Sequence, residues 1–385
     1  MQSASLYIHF PLCKSKCPYC DFNSHIINFN NLEDWKNAYH NELKFFYNLT
    51  GHRKITSIFF GGGTPSLMPI SLVSDILDNI AKYYSLTKNI EISLEANPTS
   101  SEAAKFQSLQ EIGVNRLSLG IQALNDQDLK FLGREHSKKE AISAILTAKK
   151  YFENFSFDLI YARPKQQLNE WNLELEEALS LKPPHISLYQ LTIEKGTKFY
   201  QDYKLGKFSL PSENQQIKLY NLTTEKCLEH NLCNYEISNY AKPNYQSKHN
   251  LNYWQYGDYI AIGAGAHSRI TRNKVKEAIF TYHQPEKWLK HNLSYNHAIQ
   301  QQRPLTKIEM LEELLIFGLR IKEGIKLELF NHYFAKNIND IFADKLTQLS
   351  ANNLVSITDK KIKATAYGRN LIHHITNFLV KNANL

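Results

Sequence analysis

The sequence predicts an α/β protein that is built on a parallel β-sheet. Short apolar segments alternate with longer amphipathic segments six times between Leu6 and His230. Strands that alternate with helices pair in parallel, because each helix returns the chain to the same edge of the sheet through a right-handed crossover. Six such repeats can close partly into a barrel or lie open as a doubly wound sheet, and the alternation does not choose between these forms.

The six repeats follow from local patterns. Predicted strands cover residues 6–10, 55–60, 90–95, 116–120, 155–160 and 185–192, and predicted helices cover 33–48, 70–84, 102–112, 126–132, 138–152, 171–181 and 213–230. In the first helix, Trp35, Tyr39 and Phe46 are among the apolar positions that recur at helical spacing. The helix over 102–112 stops at Gly113, a residue type that commonly caps helix ends.

The pattern changes after Tyr235. Aromatic- and glycine-rich segments at 235–240, 250–259 and 260–267 are predicted to be strands or loops. From Thr306 onward the prediction is helices over 308–319, 341–349 and 369–379, with short strands within 354–366. Helices with a short hairpin resemble a small winged-helix-like module. We therefore divide the chain into a βα core at 1–235, an aromatic- and glycine-rich extension at 236–303 and a C-terminal domain at 304–385.

Composition favours a water-soluble globular protein. Hydrophobic residues make up 43% of the chain and charged residues 21%, and no apolar run reaches the ~20 residues that span a bilayer. The N-terminus lacks a signal-peptide pattern, so we expect a cytoplasmic protein with reduced thiols. The net charge of +8 is scattered along the chain, which favours an acidic small molecule or peripheral contact with an anionic membrane. The sequence carries no nucleic-acid-binding motif, so no nucleic-acid partner is expected.

Cys13, Cys17 and Cys20 form the most informative motif, and they follow the first predicted strand directly. Three thiolates at C-x3-C-x2-C spacing can hold three corners of a four-iron cluster and leave the fourth iron open to a ligand from outside the protein. The alternative is a structural zinc site with His9 or His25 as fourth ligand. A disulfide framework is not expected from five cysteines in 385 residues.

The two remaining cysteines, Cys227 and Cys233, are expected to be buried structural thiols.

Other unusual residues fall where predicted strands end. The glycine loop Gly61-Gly62-Gly63-Thr64-Pro65 follows the second strand, and Glu95 ends the third in Glu95-Ala-Asn97-Pro98. Gln122 follows the fourth strand, Arg134 comes twelve residues later, and Asp158 lies within the fifth. Each has an ordinary explanation as a turn, a cap or an ion pair, although an acid inside an apolar strand needs a partner. Since ligands of parallel α/β folds lie at the carboxyl ends of strands, we expect a joint ligand site there.

Together, Cys13-x3-Cys17-x2-Cys20, Gly61-Gly-Gly-Thr-Pro65 and the six βα repeats resemble the radical S-adenosylmethionine superfamily. Within it the chain resembles the group that contains oxygen-independent coproporphyrinogen III oxidase and its relative HemW, a haem chaperone. The resemblance runs from about Tyr7 to the C-terminus. It implies a partial (β/α)6 TIM-like barrel and a 4Fe–4S cluster on the three cysteines, with S-adenosylmethionine chelating the open iron.

The resemblance also implies which positions contact S-adenosylmethionine. These are Tyr7, Tyr19, Gly62, Gly63, Thr64, Glu95, Gln122, Arg134 and Asp158. Their chemistry suits the role, since a glycine loop can offer backbone groups to the methionine end, carboxylates can accept hydrogen bonds, and an arginine can pair with the carboxylate of the cofactor.

Within this group, three features favour HemW over the oxidase. The oxidase has a further cysteine two positions after the third ligand, whereas Cys20 is followed here by Asp21 and Phe22. It also carries a longer segment ahead of its cysteines, whereas twelve residues precede Cys13. His249-Asn250-Leu-Asn-Tyr253-Trp254 matches the H-N-x-x-Y-W motif of HemW, whose histidine is implicated in haem binding.

Imidazole is a common axial ligand of haem iron, which makes His249 the first haem candidate. Without the motif, His249 would be interpreted as an ordinary loop histidine and Trp254 as a core residue. His267, in Gly263-Ala-Gly265-Ala-His267, is a second candidate.

We therefore expect a haem chaperone that passes haem to an acceptor haem protein, with acceptors expected in the respiratory chain. The alternative is an oxygen-independent coproporphyrinogen III oxidase, which decarboxylates porphyrinogen propionates oxidatively. The resemblance also implies a homodimer, although the sequence contains no coiled-coil heptads that would support one.

Overall fold

The computed structural model describes residues 3–26, 29, 31–272, 274–381 and 383–385. In chain order, the strands are β1 (Ser3–Phe10), β2 (Lys54–Gly62), β3 (Ser85–Ala96), β4 (Arg116–Gln122), β5 (Asn154–Tyr161), β6 (His185–Gln190), β7 (Cys233–Asn234), β8 (Asn239–Ala241), β9 (Tyr259–Ile262), β10 (His267–Arg272), β11 (Val275–Thr281), β12 (Ile299–Pro304), β13 (Ile325–Lys326), β14 (Val355–Ile357) and β15 (Lys361–Ala364). The α-helices are α1 (Leu32–Thr50), α2 (Ile70–Tyr83), α3 (Ser100–Ala103), α4 (Phe106–Glu111), α5 (Asp126–Phe131), α6 (Lys138–Tyr151), α7 (Leu168–Ser180), α8 (Lys198–Lys204), α9 (Glu213–Glu229), α10 (Lys248–Trp254), α11 (Pro285–Tyr295), α12 (Lys307–Arg320), α13 (Glu328–Phe334), α14 (Ile338–Phe342), α15 (Lys345–Ala351) and α16 (Ile372–Val380).

A large sheet organises the described residues, and its strand order is β12-β11-β10-β9-β1-β2-β3-β4-β5-β6-β8-β7. The strands from β9 to β6 pair in parallel, and antiparallel strands extend the sheet at both sides. Within the described residues the end strands β12 and β7 do not pair with each other. The barrel is therefore partial, as the resemblance implied, and the predicted fold class is confirmed.

The extension differs from the sequence-based expectation. The first half of the segment predicted as a strand or loop at 250–259 lies in helix α10, and β9 adds a parallel strand beside β1. A glutamate caps α10, because the Glu91 carboxylate accepts hydrogen bonds from the backbone N–H groups of Lys248 and His249, both at 3.1 Å. The sequence of α10 alone does not reveal this cap, because the carboxylate belongs to Glu91 on β3, which is distant in sequence.

Two predicted helices are each divided in the structure. The helix predicted over 102–112 is split into α3 and α4, and the one predicted over 341–349 is split into α14 and α15. Ala343 has a φ of 47°, which ends α14 because a side chain in this left-handed region interrupts the helical path.

Two large apolar cores support the architecture of the described residues, and two smaller apolar clusters accompany them. One lies around the large sheet and includes Leu6, Phe60 and Phe157, all fully buried. The other lies inside the C-terminal helices and the small sheet β13-β15-β14, and it includes Phe330 and Ile362.

A buried ion cluster fixes the extension between these cores. Asp258 accepts hydrogen bonds from Arg53 Nη1 at 2.6 Å and from Lys276 Nζ at 3.1 Å. Lys276 is completely buried, and its Nζ also donates to the carbonyl of Tyr256 at 2.9 Å. Because Tyr256 packs in the C-terminal core, this cluster connects the sheet to the C-terminal domain.

The two cysteines outside the C-x3-C-x2-C motif differ in exposure. Cys227 is buried as expected. Cys233 is exposed because it lies on the edge strand β7, so the expectation for Cys233 is wrong.

In the described part of the chain, no helix combines the length and the apolar character that crossing a bilayer requires.

Arg163 fixes the segment that follows β4. Its guanidinium is 2% exposed, pairs with both carboxylate oxygens of Glu174, and lies 3.0 Å from Asp128. Glu174 also accepts a 2.7 Å hydrogen bond from the backbone N–H of Leu124. The cluster therefore holds the chain after β4 against α7, and nothing in the sequence pattern indicates this role.

We expect Arg163→Met to lower the free energy of unfolding by about 3 kcal/mol, because the Glu174 carboxylate would stay buried without a counter-charge. Urea unfolding followed by circular dichroism measures this change. Lys139→Met, at an exposed position on α6, is the matched control and should change stability little. Equal stability of the two variants would contradict the assigned role of Arg163.

Candidate functional site

A cavity of about 1280 Å³ lies at the carboxyl ends of the parallel strands. Its floor consists of strand ends and the cysteine loop, and its roof comes from the C-terminal domain, including Arg320 and residues 369–374. Small-molecule sites usually measure about 300–1,000 Å³, so this cavity has room for more than one ligand.

The three cysteines lie together on the cavity wall. All three are half-buried, and the backbone N–H of Cys20 donates to the carbonyl of Cys17 at 3.1 Å, which closes the loop. Burial raises the pKa of the Cys13 and Cys20 thiols above their ordinary value. These thiols therefore favour the protonated form until a cation binds, and metal binding displaces the protons.

A chain of hydrogen bonds joins two of the cysteines. Thr64 Oγ1 donates to Cys13 Sγ at 3.4 Å, and Asn97 Nδ2 donates to Thr64 Oγ1 at 3.3 Å. Arg134 Nη2 donates to Asn97 Oδ1 at 2.5 Å, and its Nη1 donates to Cys17 Sγ at 3.2 Å. Through this chain, which we call the cysteine-linking network, the ends of β2 and β3 position the cysteine loop.

The glycine loop lies very close to the cysteine loop. A Cβ on Gly63 would lie 2.6 Å from the carbonyl oxygen of Leu12, and Gly62 has a φ of 114°. The N–H of Gly63 donates to Phe10, and the N–H of Gly62 donates to Glu95. These backbone donors are therefore engaged by protein acceptors, and the two glycines are required by close approach and by backbone conformation.

Glu95 and Asp158 face the cavity, and each has a raised pKa. Burial is the main cause of both shifts; the pKa of Glu95 is about 8, with a further contribution from the charge of Asp158. The pKa of Asp158 is about 6, and its Oδ1 has no hydrogen-bond partner among the described residues. An unpartnered carboxylate oxygen that faces a cavity is suited to accept a hydrogen bond from a ligand.

Gln122 and Tyr19 complete the set of predicted residues that line the cavity. Gln122 has a φ of 76°, an uncommon conformation for a residue other than glycine, at a register irregularity between β4 and β5. The Tyr19 ring lies 6.2 Å from that of Phe199, and burial raises the pKa of its hydroxyl.

The structure therefore brings most of the predicted site residues together. The residues that line the cavity are Cys13, Cys17, Cys20, Tyr19, Gly62, Gly63, Thr64, Glu95, Gln122, Arg134 and Asp158. Tyr7 and His249 are not among them: their rings lie 6.0 Å from each other, deeper in the barrel.

His249 lies in an aromatic cluster beneath the cavity floor. It is 5% exposed, its ring stacks on Phe59 at 4.9 Å, and its Nδ1 lies 3.3 Å from Ser57 Oγ. Ser57 comes five residues before Gly62 on β2, which corresponds to roughly 16 Å along the strand. Burial lowers the pKa of His249 to about 3, so the ring is neutral and enclosed.

His267 is exposed at the start of β10 and packs edge-on against Phe280 at 4.5 Å, outside the residues that line the cavity.

Sequence reasoning missed two groups of residues that line the cavity. Asn97 follows Glu95 by two positions at the end of β3, so the strand-end criterion could have found it. The roof residues Arg320, Arg369, His373 and His374 could not have been found, because only the docking of the C-terminal domain brings them to the cavity.

Comparison with known families and proteins agrees with this arrangement. A model described as the radical SAM superfamily matches residues 7–177, and one described as the HemN C-terminal domain matches residues 305–371. The heme chaperone HemW of Buchnera aphidicola subsp. Schizaphis graminum is 36% identical over 371 residues, which cover 92% of this chain and 97% of that protein. The heme chaperone HemW of Bacillus subtilis is 32% identical over 367 residues, which cover 95% of this chain and 96% of that protein.

Two further similarities extend beyond bacterial chaperones. Radical S-adenosyl methionine domain-containing protein 1, mitochondrial, of Danio rerio is 33% identical over 380 residues, which cover 97% of this chain and 86% of that protein. Among solved structures, coproporphyrinogen III oxidase (HemN) from Escherichia coli matches with a TM-score of 0.81 at 21% identity, covering 98% of this chain and 90% of that chain. At this identity the likeness concerns the fold.

The raised pKa of Glu95 predicts a pH-dependent stability for the protein without bound ligands. Between pH 4.5, the ordinary pKa of the side chain, and about 8, the folded protein holds a proton that the unfolded chain releases. Stability should therefore fall as pH rises through this window. Glu95→Gln cannot ionise, so we expect its denaturation midpoint to fall less steeply with pH than that of the wild type.

Urea midpoints measured from pH 5 to pH 8 test this expectation. Glu135→Gln, an exposed position at the rim of the cavity, is the control and should keep the wild-type slope. A wild-type slope in Glu95→Gln as well would show that Glu95 ionises normally.

Proposed function

The chain belongs to the HemW family of the radical S-adenosylmethionine superfamily, and from this premise we propose that it is a haem chaperone, which binds haem and transfers it to an acceptor haem protein. The observation that carries the proposal is 32–38% identity, over most of the chain, to bacterial proteins named heme chaperone HemW. The proposed acceptor is a haem protein of the respiratory chain.

Membership in the superfamily implies a 4Fe–4S cluster and S-adenosylmethionine. When bound and reduced, such a cluster supplies one-electron cleavage of S-adenosylmethionine. In our proposal Cys13, Cys17 and Cys20 hold the cluster. The donor set suits a cluster, because three half-buried thiols of one loop line the same cavity as an arginine and two carboxyl groups.

The chain's own residues have distinct proposed roles around the cofactor. Arg134 pairs with the carboxylate of S-adenosylmethionine; its Nε has no hydrogen-bond partner among the described residues, which leaves a donor for a ligand. Asp158 offers its unpartnered Oδ1 to hydroxyl or amine donors of the cofactor. Glu95, at the end of β3, also lines the cavity, and its carboxyl group already accepts from the N–H of Gly62. Gln122 and Tyr19 line the part of the cavity that the cofactor would occupy. The glycine loop, with Gly62, Gly63 and Thr64, sets the distance between itself and the cysteine loop.

Tyr7 and His249 enter the proposal differently, since neither lines the cavity. The Tyr7 hydroxyl lies 3.3 Å from His9 Nδ1, and the ring supports the floor next to Glu95. The H-N-x-x-Y-W motif makes His249 a haem candidate, and the ring would have to leave Phe59 and Ser57 to reach haem iron. A cytoplasmic location, a homodimer and peripheral membrane contact stay predictions from the sequence.

Substituting any one of Cys13, Cys17 or Cys20 with alanine should abolish cluster formation, because a cluster with one fewer thiolate loses an iron ligand. Iron and acid-labile sulfide are measured after anaerobic reconstitution. Cys233→Ala, at an exposed thiol outside the cavity, is the control and should keep wild-type iron and sulfide. Zinc without sulfide in the wild type would instead support the structural zinc site.

The wild type should bind haem, pass it to an apo haem protein and leave coproporphyrinogen III unchanged. Haem titration followed by absorbance, a transfer assay and chromatography of the porphyrin products measure the three parts. Robust formation of decarboxylated porphyrinogen, dependent on S-adenosylmethionine, would overturn the chaperone proposal in favour of the oxidase. Tight haem binding without transfer would reduce the proposal to haem binding alone.

A further inference from the structure

We propose that haem binds under the roof of the cavity, with its carboxylates on Arg369 and its iron on one imidazole of the adjacent pair His373 and His374. This inference rests on the proposed function and adds the place and the residues through which haem is held. All three residues belong to the C-terminal domain and line the same cavity as the cysteine loop.

Arg369 provides an unsatisfied positive charge at the roof. Its Nε and Nη1 atoms are shielded from solvent and have no hydrogen-bond partner among the described residues. Desolvated donors of this kind are costly unless an acceptor reaches them. A carboxylate matches a guanidinium best, because two parallel N–H groups can bind its two oxygens.

The other roof arginine is already neutralised. Arg320 Nε donates to the fully buried Glu236 at 2.5 Å, and its guanidinium lies 5.5 Å from the centre of the Trp254 ring. The floor of the cavity carries Glu95 and Asp158, two carboxyl groups that offer no positive charge to an anionic ligand. Of the two roof arginines, Arg369 is therefore the one left to receive the carboxylates of such a ligand.

His373 and His374 place two imidazoles beside this charge. They are exposed at the start of α16, and neither ring donates or accepts a hydrogen bond within the described residues. The third histidine that lines the cavity, His136, uses its Nε2 on the carbonyl of Ile121 at 3.0 Å and is 5% exposed. The pair on α16 is therefore the accessible source of an iron ligand.

The walls between floor and roof suit a flat apolar ligand. Phe22, Tyr189, Ile217 and Tyr367 line the cavity and are 59%, 39%, 50% and 61% exposed, respectively. Several large apolar side chains around one opening indicate a surface that a ligand covers. Apolar walls, an unpaired guanidinium and free imidazoles together match a metalloporphyrin with carboxylate side chains, whose ring packs on the aromatic groups.

Three ligands separate the roles of these residues in the full-length, cluster-loaded protein: iron protoporphyrin IX, metal-free protoporphyrin IX and the dimethyl ester of iron protoporphyrin IX. Arg369→Gln should weaken both free-acid porphyrins by about tenfold to a hundredfold and leave the affinity for the ester unchanged, because it removes a charged hydrogen bond to a carboxylate. The double variant His373→Ala/His374→Ala should weaken only the iron porphyrins and change the Soret spectrum, which reports the axial ligand.

Lys363→Gln and His332→Ala, both at exposed positions in the C-terminal domain outside the cavity, are the matched controls and should bind all three ligands as the wild type does. Comparison of iron and metal-free porphyrin within each variant separates a lost ligand from a general loss of folding. The roof site would be overturned if Arg369→Gln and His373→Ala/His374→Ala kept wild-type affinity and spectra while His249→Ala lost iron porphyrin. The chaperone proposal would stand in that case. Failure of the wild type to bind haem would overturn the proposed function and this inference with it.

Discussion

The cysteine-linking network is the constraint on which the site depends. It runs from Cys13 through Thr64, Asn97 and Arg134 to Cys17. Thr64 and Asn97 follow the ends of β2 and β3, and Arg134 follows α5. A loop with three thiols would otherwise be free to adopt many conformations, and ordering it has an entropic cost. Because the sheet fixes the partners of both thiols, the loop is held in one arrangement before a cluster binds.

The sheet in turn depends on clusters of buried charge at its periphery. Arg163 holds the segment after β4, from which Arg134 reaches the network, and Asp258 holds the extension against the sheet and the C-terminal domain. Buried ion pairs add little net stability compared with apolar packing, but they tolerate few alternative arrangements. In this fold they set the position of the two elements that complete the cavity, the loop after β4 and the roof.

The rule that ligands of parallel α/β folds lie at the carboxyl ends of strands predicts the floor of the site but not its roof. Cys13, Glu95 and Asp158 meet because parallel strands end at one edge, which sequence periodicity can reveal. Arg369 and His373 belong to a module that is distant in sequence, and only tertiary docking brings them to the cavity. His249 is a haem candidate from its motif, and its ring packs against Phe59 outside the residues that line the cavity.

The carboxyl groups on the floor of the cavity and the arginine on its roof favour ligands of opposite charge. S-adenosylmethionine carries a positive sulfonium group, which suits a floor that contains Glu95 and Asp158, and a cation there would lower the raised pKa of both carboxyl groups. Haem carries negative carboxylates, which suit Arg369 on the roof. In the proposed arrangement S-adenosylmethionine lies beside the cysteines and the carboxyl groups of the floor while haem lies beside Arg369, so each ligand meets groups of opposite charge and the two do not exchange positions.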